Sequence, residues 1–191
     1  MKACGAVFVW AGVLAATCVA QDATRWVNPR YEKLKVLEPI IGTWTFVRTY
    51  PGSEAKSEVQ TTYSWSPSKG MITSTSRTRH AADGDLSQAQ EWIEGGPFVF
   101  FVWNEKTNRI ESHGLYTLAG FADVCAVTCR EDGSFESSPT HEDFDAVLSK
   151  DVMTISGNEM RVKSTNRRSP SGEALEDREE VYTRIASPAK N

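Results

Sequence analysis

Gly42-Thr43-Trp44-Thr45-Phe46-Val47-Arg48-Thr49-Tyr50 is the stretch that decides the fold class. Trp44, Phe46, Arg48 and Tyr50 alternate with Thr43, Thr45, Val47 and Thr49. A period of two sends successive side chains to opposite faces of a strand, so the segment carries one aromatic face that ends in an arginine. Immediately upstream the period changes. Asn28 followed by Pro29 has the chemistry of a helix N-cap and first-turn proline, and Leu34, Leu37 and Ile41 recur behind them at helical spacing. The pattern predicts a short helix over 29–38 that gives way to strand at Gly42.

Downstream the period of two returns again and again. Val59, Thr61, Tyr63 and Trp65 alternate before a turn at 67–70; 72–79 runs to Asp83-Gly84; 88–93 stops at Gly95-Gly96-Pro97. The apolar run 98–103 is followed by a hairpin loop at 104–108 and a return over 110–118. Further strands are expected over 121–129, in the segment from Phe135 to Leu148, over 152–155 and 160–165 around Gly157-Asn158, and over 175–185. Turn signals separate these runs by about 8 to 12 residues, the rhythm of sandwiches and barrels. No connection is long enough for a crossover helix, so neighbours run antiparallel, up and down. An open sheet of about ten such strands would leave two long unpaired edges, and closure removes both. The expected architecture is all-β, an antiparallel up-and-down closed β-barrel preceded by a short N-terminal helix. A sandwich is the second arrangement compatible with the pattern.

Lys2, an apolar run over 6–16 and the small residues ending at Cys18, Val19 and Ala20 form the layout of a secretory signal peptide. The run is shorter than the ~20 residues a membrane-spanning helix needs. The expected organisation is a signal peptide over 1–20, a segment with the short helix over 21–41, a barrel domain over 42–185 and a flexible tail over 186–191. The chain is accordingly expected to be exported, periplasmic or secreted, with no membrane span in its mature part.

The net charge is −4, and it becomes more negative once Lys2 is removed with the leader. No run of Lys and Arg appears, so nucleic acid is not an expected partner. With 40% hydrophobic residues the chain builds a core without disulfide or metal support. Cys125 and Cys129 remain after export. On one continuous strand their Cα atoms would be roughly 13 Å apart, against a disulfide limit near 7 Å, so they are expected to stay unbridged, as small apolar side chains on a packed face.

The segment Leu37-Glu38-Pro39-Ile40-Ile41-Gly42-Thr43-Trp44, a short helix leading into Gly-x-Trp on the first strand, resembles the entry to the barrel in the calycins, the group of lipocalins, fatty-acid-binding proteins and nitrobindin-like proteins. Within that group the chain looks most like lipocalin-like exported proteins, through Gly42-x-Trp44, the apolar strand ending at Trp103-Asn104 and the terminal Glu180-x-Tyr182-x-Arg184. The resemblance covers roughly residues 34 to 185 in strand layout. It implies that Trp44 plugs the closed end of the barrel and that Arg184, from the last strand, covers it. A nitrobindin-like haem site would need a histidine near the C-terminus; His80, His113 and His141 all lie before the final strands, so neither haem nor any other cofactor is expected.

No nucleophile elbow, zinc-protease, calcium-loop, phosphate-loop or dinucleotide motif occurs, and the acids Glu142, Asp143 and Asp145 lack calcium-loop spacing. No metal site and no catalytic residue is assigned. His80 and His141 read as surface residues, which leaves His113 as the histidine to test. Arg48 and Arg77 sit on strand faces that, if they point inward, need an acceptor, either a ligand carboxylate or an internal acid; the other reading has both snorkelling out near the rim. The candidate ligand-binding set is Phe46, Arg48, Tyr63, Trp65, Arg77, Phe100, His113 and Tyr116. The function it implies is an extracytoplasmic binding protein for a small apolar or amphipathic molecule held in the lumen. Two other readings stay open: an interaction or structural protein with a filled core, and an isomerase or hydrolase at the mouth with His113 as base.

Overall fold

The computed structural model describes residues 28–116, 121–141, 147–169 and 171–185, without the side chains of Tyr116 and Phe121. The expected leader over 1–20, the tail over 186–191 and the acids Glu142, Asp143 and Asp145 lie outside the described residues.

The chain enters through a turn set by Asn28, whose Oδ1 accepts from the Arg30 N–H at 3.0 Å and whose carbonyl accepts from the Tyr31 N–H at 2.8 Å. A single α-helical turn, α1 (Tyr31–Leu34), then tightens into a 3-10 helix over Lys35–Ile40. The short helix expected over 29–38 is therefore present, displaced by two residues and mostly of the tighter type. Pro39 disfavours α geometry at Glu38 and has no N–H to continue the ladder. A 3-10 helix has three residues per turn, so Leu34, Leu37 and Ile40 fall on one face, and each is no more than 1% exposed. Ile41, expected on that face, is instead the extended residue that leads into the sheet.

Eleven strands follow among the described residues: β1 (Gly42–Thr49), β2 (Lys56–Trp65), β3 (Met71–Ala81), β4 (Ile93–Glu94), β5 (Phe98–Asn104), β6 (Arg109–Tyr116), β7 (Phe121–Cys129), β8 (Phe135–Pro139), β9 (Leu148–Ser156), β10 (Glu159–Arg168) and β11 (Arg178–Ile185). Apart from β4 they close into a ten-stranded antiparallel barrel, each strand pairing with the next and β11 returning to β1. The closing seam is short: Thr43↔Ile185, Trp44↔Arg184 and Thr45↔Thr183. Closure rules out the sandwich. The run expected as a strand over 88–93 is mostly loop, because Asp85 accepts from the Ser87 N–H at 2.9 Å and starts a 3-10 turn over Leu86–Gln88. What remains, β4, pairs with β3 alone.

The helical segment caps one end of the barrel. Leu34, Leu37 and Ile40 pack against Ile72, Phe101, Ile110, Val127 and Phe135 from the walls, and Trp44 and Met160 are buried beside them. Gly42 makes the entry possible, since its φ of +131° is a conformation that side-chain-bearing residues rarely adopt. Space does not demand the glycine, because a Cβ there would meet only the Arg184 guanidinium, at an ordinary 3.7 Å.

Candidate functional site

Strand alternation selects the residues that face the lumen. On β1 they are Trp44, Phe46 and Arg48, running from the capped end toward the open one. The open end is bounded by the end of β1 and the starts of β7, β9 and β11, while the hairpin Gly157-Asn158 and the loop before β8 lie at the capped end. Between the ends lies a cavity of about 440 Å³. Its floor is apolar, formed by Leu37, Ile40, Phe101, Val127, Phe135 and Met160. Higher up, the wall is lined by small hydroxyl side chains: Thr61, Ser74, Ser76, Ser112, Ser137 and Ser164. Toward the mouth it becomes charged.

The charged wall on β1 and β11 is built around Glu180, whose side chain is only 11% exposed. Its Oε1 accepts from the Arg48 guanidinium at 3.2 Å and lies 3.4 Å from Arg178 Nε. Its Oε2 accepts from the Tyr182 hydroxyl at 2.7 Å. The Tyr182 ring packs on Phe46 at 4.4 Å, and the Arg48 guanidinium lies 5.4 Å from the same Phe46 ring. Burial, with Glu180 nearby, raises the Tyr182 phenol far above the ordinary tyrosine range and pushes Tyr63 up to about 12. Both phenols are therefore neutral donors at any physiological pH.

A second wall carries Asp123, Cys125 and Asp151. Asp123 accepts from the Gly114 N–H at 2.9 Å, and Asp151 accepts from the Ser149 hydroxyl at 2.9 Å. Burial foremost, then the Asp123 and Asp151 carboxylates, pushes the Cys125 thiol up to about 11, while Ser137 and Ser112 hydrogen-bond to it and offset part of that rise. Cys125 and Cys129 are both free. Cys129 is exposed at the end of β7, so only one of the two occupies a packed face as expected.

Of the residues expected to bind ligand, Phe46, Arg48 and Tyr63 line the cavity. The acceptor for Arg48 is an internal acid, Glu180 on the neighbouring strand. Tyr116 ends β6, and its side chain lies outside the described residues. The remaining four are elsewhere. Trp65 points toward the capped end, where its ring meets Tyr31 at 5.2 Å and its Nε1 donates to Glu38 Oε2 at 3.0 Å. Phe100 and His113 stack on each other outside the barrel, ring centroids 4.9 Å apart and 4° from parallel. Arg77 is outside too, donating to Gln60 Oε1 at 2.8 and 3.1 Å and lying 4.6 Å from the Trp92 ring. The loop carrying Trp92 folds against the outer surface of β3, where Arg79 also reaches it.

The nearest acid to His113 is Glu111, 3.6 Å from Nε2, again on the outer face. That carboxylate is held by Asn104, Thr107 and Arg109, and the Asn104 bond foremost keeps it below the usual carboxylate range. His80, expected on the surface, is exposed and its Nδ1 lies 2.7 Å from the Ser57 hydroxyl, which in turn meets the Tyr50 hydroxyl at 2.8 Å. His141 is exposed as well.

Glu180, Tyr182 and Arg178 were absent from the expected site, although alternation with Arg184 already put them on one face. Asp123 and Asp151 stand out less in the sequence, because each is a single acid in a strand whose facing depends on the register of its neighbours.

No protein-family profile matches the chain, and no curated protein does. Among solved structures it is similar to the crystal structure of Rv2717c from M. tuberculosis, with a TM-score of 0.54, 15% sequence identity, and coverage of 84% of this chain and 99% of that one. At that identity the likeness concerns the fold alone.

Proposed function

We propose that the barrel binds a small amphipathic molecule in its lumen, apolar part toward the floor and polar part toward Arg48, Glu180 and Arg178. The observation that carries this is the cavity of about 440 Å³ with an apolar floor and a charged upper wall. It falls in the usual range for ligand sites, about 300 to 1,000 Å³, whereas a domain built only to present its outer face would fill its core. The calycin resemblance supports the same reading, through Gly42-x-Trp44 and Arg184 at the capped end. Catalysis with His113 as base would need a second polar group within about 3 Å in a cleft. Glu111 at 3.6 Å on an outer surface does not supply one.

The leader-like residues 1–20 make the protein, in this proposal, an exported one. Fractionation of the host and N-terminal sequencing test that part; an unprocessed chain recovered with cytoplasmic markers would overturn it. For binding, native mass spectrometry of the protein isolated from its own host is expected to show a retained small molecule. A neutral fluorescent reporter such as N-phenyl-1-naphthylamine is expected to bind the emptied protein, and Ser112→Phe, which fills the lumen, is expected to abolish that signal with circular dichroism unchanged. Reporter binding unaffected by Ser112→Phe would place the apolar site elsewhere and defeat the proposal.

A further inference from the structure

Resting on the reading of the lumen as a binding site, we infer that the ligand enters and leaves through a side gate in the barrel wall, where β1 and β11 part on the mouth side of their closing seam, and that Arg48 and Glu180 are its latch. The backbone pairing of that seam stops at Thr45↔Thr183. Continued toward the mouth, the same register puts Phe46 opposite Tyr182, Val47 opposite Val181 and Arg48 opposite Glu180, but no ladder joins them. Among the described residues, side chains alone bridge this half of the seam. The Phe46 and Tyr182 rings meet at 4.4 Å, and Arg48 donates to Glu180 Oε1 at 3.2 Å.

Each of the two strands is held by its other neighbour. β1 pairs with β2 from Gly42 to Thr49, and β11 pairs with β10 from Arg178 to Thr183. The two strand pairs can therefore swing apart about Thr43, Trp44 and Thr45 without breaking a ladder hydrogen bond, whereas parting two fully laddered strands breaks several. The place where β5 leaves β3 after Ser74 is different. There β4 pairs with Arg77 and Thr78, and the Gly96 N–H donates to the Ser76 carbonyl at 3.3 Å, so backbone covers the edge of β3.

The latch holds a defined position and releases readily. Tyr182 donates to Glu180 Oε2 at 2.7 Å, which leaves Oε1 aimed across the seam at Arg48. Arg178 Nε, 3.4 Å from the same Oε1, belongs to β11 and stays beside Glu180 when the strands part, so the carboxylate keeps a cation in the open state. The Arg48 side chain is 42% exposed, and a guanidinium that already reaches solvent gives up an ion pair at little cost. Phe46, Arg48, Glu180 and Tyr182 all line the cavity, so parting them opens the lumen along its side and widens the mouth. The apolar end of an amphipathic ligand then reaches the floor beside the Phe46 and Tyr182 rings. Gating of this kind sets the rates of entry and release.

The test follows exchange of N-phenyl-1-naphthylamine by stopped flow. Val47 and Val181 are exposed and lie outside the cavity lining. In a Cys129→Ser background, Val47→Cys and Val181→Cys are joined across the seam with a short bismaleimide on the folded full-length protein, and the unlinked form is the reference. The link is expected to slow association and dissociation alike, by roughly tenfold, with the equilibrium affinity for the reporter changed by less than about twofold. A control link between Thr62→Cys and Thr75→Cys, exposed register partners on the laddered junction of β2 and β3, is expected to leave both rates unchanged. Glu180→Gln, which keeps the size of the latch and removes its charge, is expected to raise both rates several-fold in the unlinked protein. Rates unmoved by the seam link, or slowed equally by the control link, would overturn the inference, as would a Glu180→Gln protein that exchanges no faster. If that is the outcome while the reporter binds and Ser112→Phe blocks it, the gate fails alone and the lumen reading stands. If the reporter does not bind the emptied protein at all, both fail together.

Discussion

The Arg184 guanidinium lies 4.3 Å from the centroid of the Trp44 indole, and the two residues are register partners across the seam that closes the barrel. The contact joins three parts of the chain. Trp44 Nε1 donates to the Ile40 carbonyl at 2.7 Å, while Arg184 donates to the carbonyls of Pro39 at 2.6 Å and Ile41 at 3.2 Å. The end of a helix leaves carbonyls without intrahelical donors, and here the last strand and the first strand supply them. A cation over an aromatic face contributes roughly 0.5 to 2 kcal/mol. The hydrogen bonds anchor the capping segment as well, so the arginine is more than a lid on the indole.

Removing the indole should still cost more than removing the charge. Trp44 is fully buried, and Trp44→Ala is expected to destabilise by about 3 to 5 kcal/mol through lost burial and the cavity left behind. Arg184→Met keeps much of the covering stem but loses two charge-assisted donors to backbone carbonyls, for an expected cost on the order of 2 to 3 kcal/mol. Urea unfolding of the two variants checks the order. A larger loss for Arg184→Met would mean that the helix anchor, and not the indole plug, holds the closed end.

How far such relationships can be read from sequence depends on whether the two faces of a strand differ. In β1, aromatic residues against threonines mark one face; Phe46 lies on it in the lumen, and Arg48, for which both an inward and a rim position were open, lines the mouth with its side chain still 42% exposed. Arg184 could be paired with Trp44 because the resemblance tied both to the same end. In β5, Phe98 to Trp103 is apolar on both faces, so nothing in the run distinguishes Phe101, which faces the core, from Phe100, which does not. The alternation of β3 was legible but its facing was not: Ser74 and Ser76 face inward while Arg77 faces out, an inversion of the usual polarity that a polar lumen permits. The 3-10 helix was hidden for a different reason, since Leu34, Leu37 and Ile41 fit an α-helical stripe about as well as Leu34, Leu37 and Ile40 fit a three-residue turn.

Cys125 and Cys129 should behave as chemically distinct thiols. Cys129 is exposed, whereas the Cys125 thiol is pushed from 9.0 up to about 11 by burial foremost and by two carboxylates, which lowers its thiolate fraction at neutral pH by about a hundredfold. With iodoacetamide at pH 8, Cys129 is expected to react promptly, and Cys125 only after unfolding. No loss of two daltons should be found in a peptide that spans both. Prompt labelling of both residues would show that the lumen wall at β7 opens in the native state.

Stability should fall in alkaline solution for a reason that lies in the lumen. Tyr63, Tyr182 and Cys125 all have their ionisation raised in the folded protein, with burial the leading cause in each case. For each, the folded state holds its proton at a pH where the unfolded chain has released it. The stabilisation is fully present below the unfolded values, near 9.0 for the thiol and 10.0 for the phenols, and is lost as pH climbs toward the folded ones. Between about pH 9 and 12 the unfolded state therefore binds fewer protons than the native state, and the unfolding free energy must decline. Tyr63, raised from 10.0 to about 12, accounts for on the order of 2 to 3 kcal/mol of that decline. Urea unfolding at pH 8, 10 and 11.5 measures it. Tyr63→Phe separates this phenol from other groups that titrate in the same window, because its stability profile should be flatter than that of the unmodified protein by that amount. Identical slopes for the two proteins would show that the Tyr63 hydroxyl is solvated in the lumen, and that the floor beneath Glu180 is wetter than its apolar lining implies.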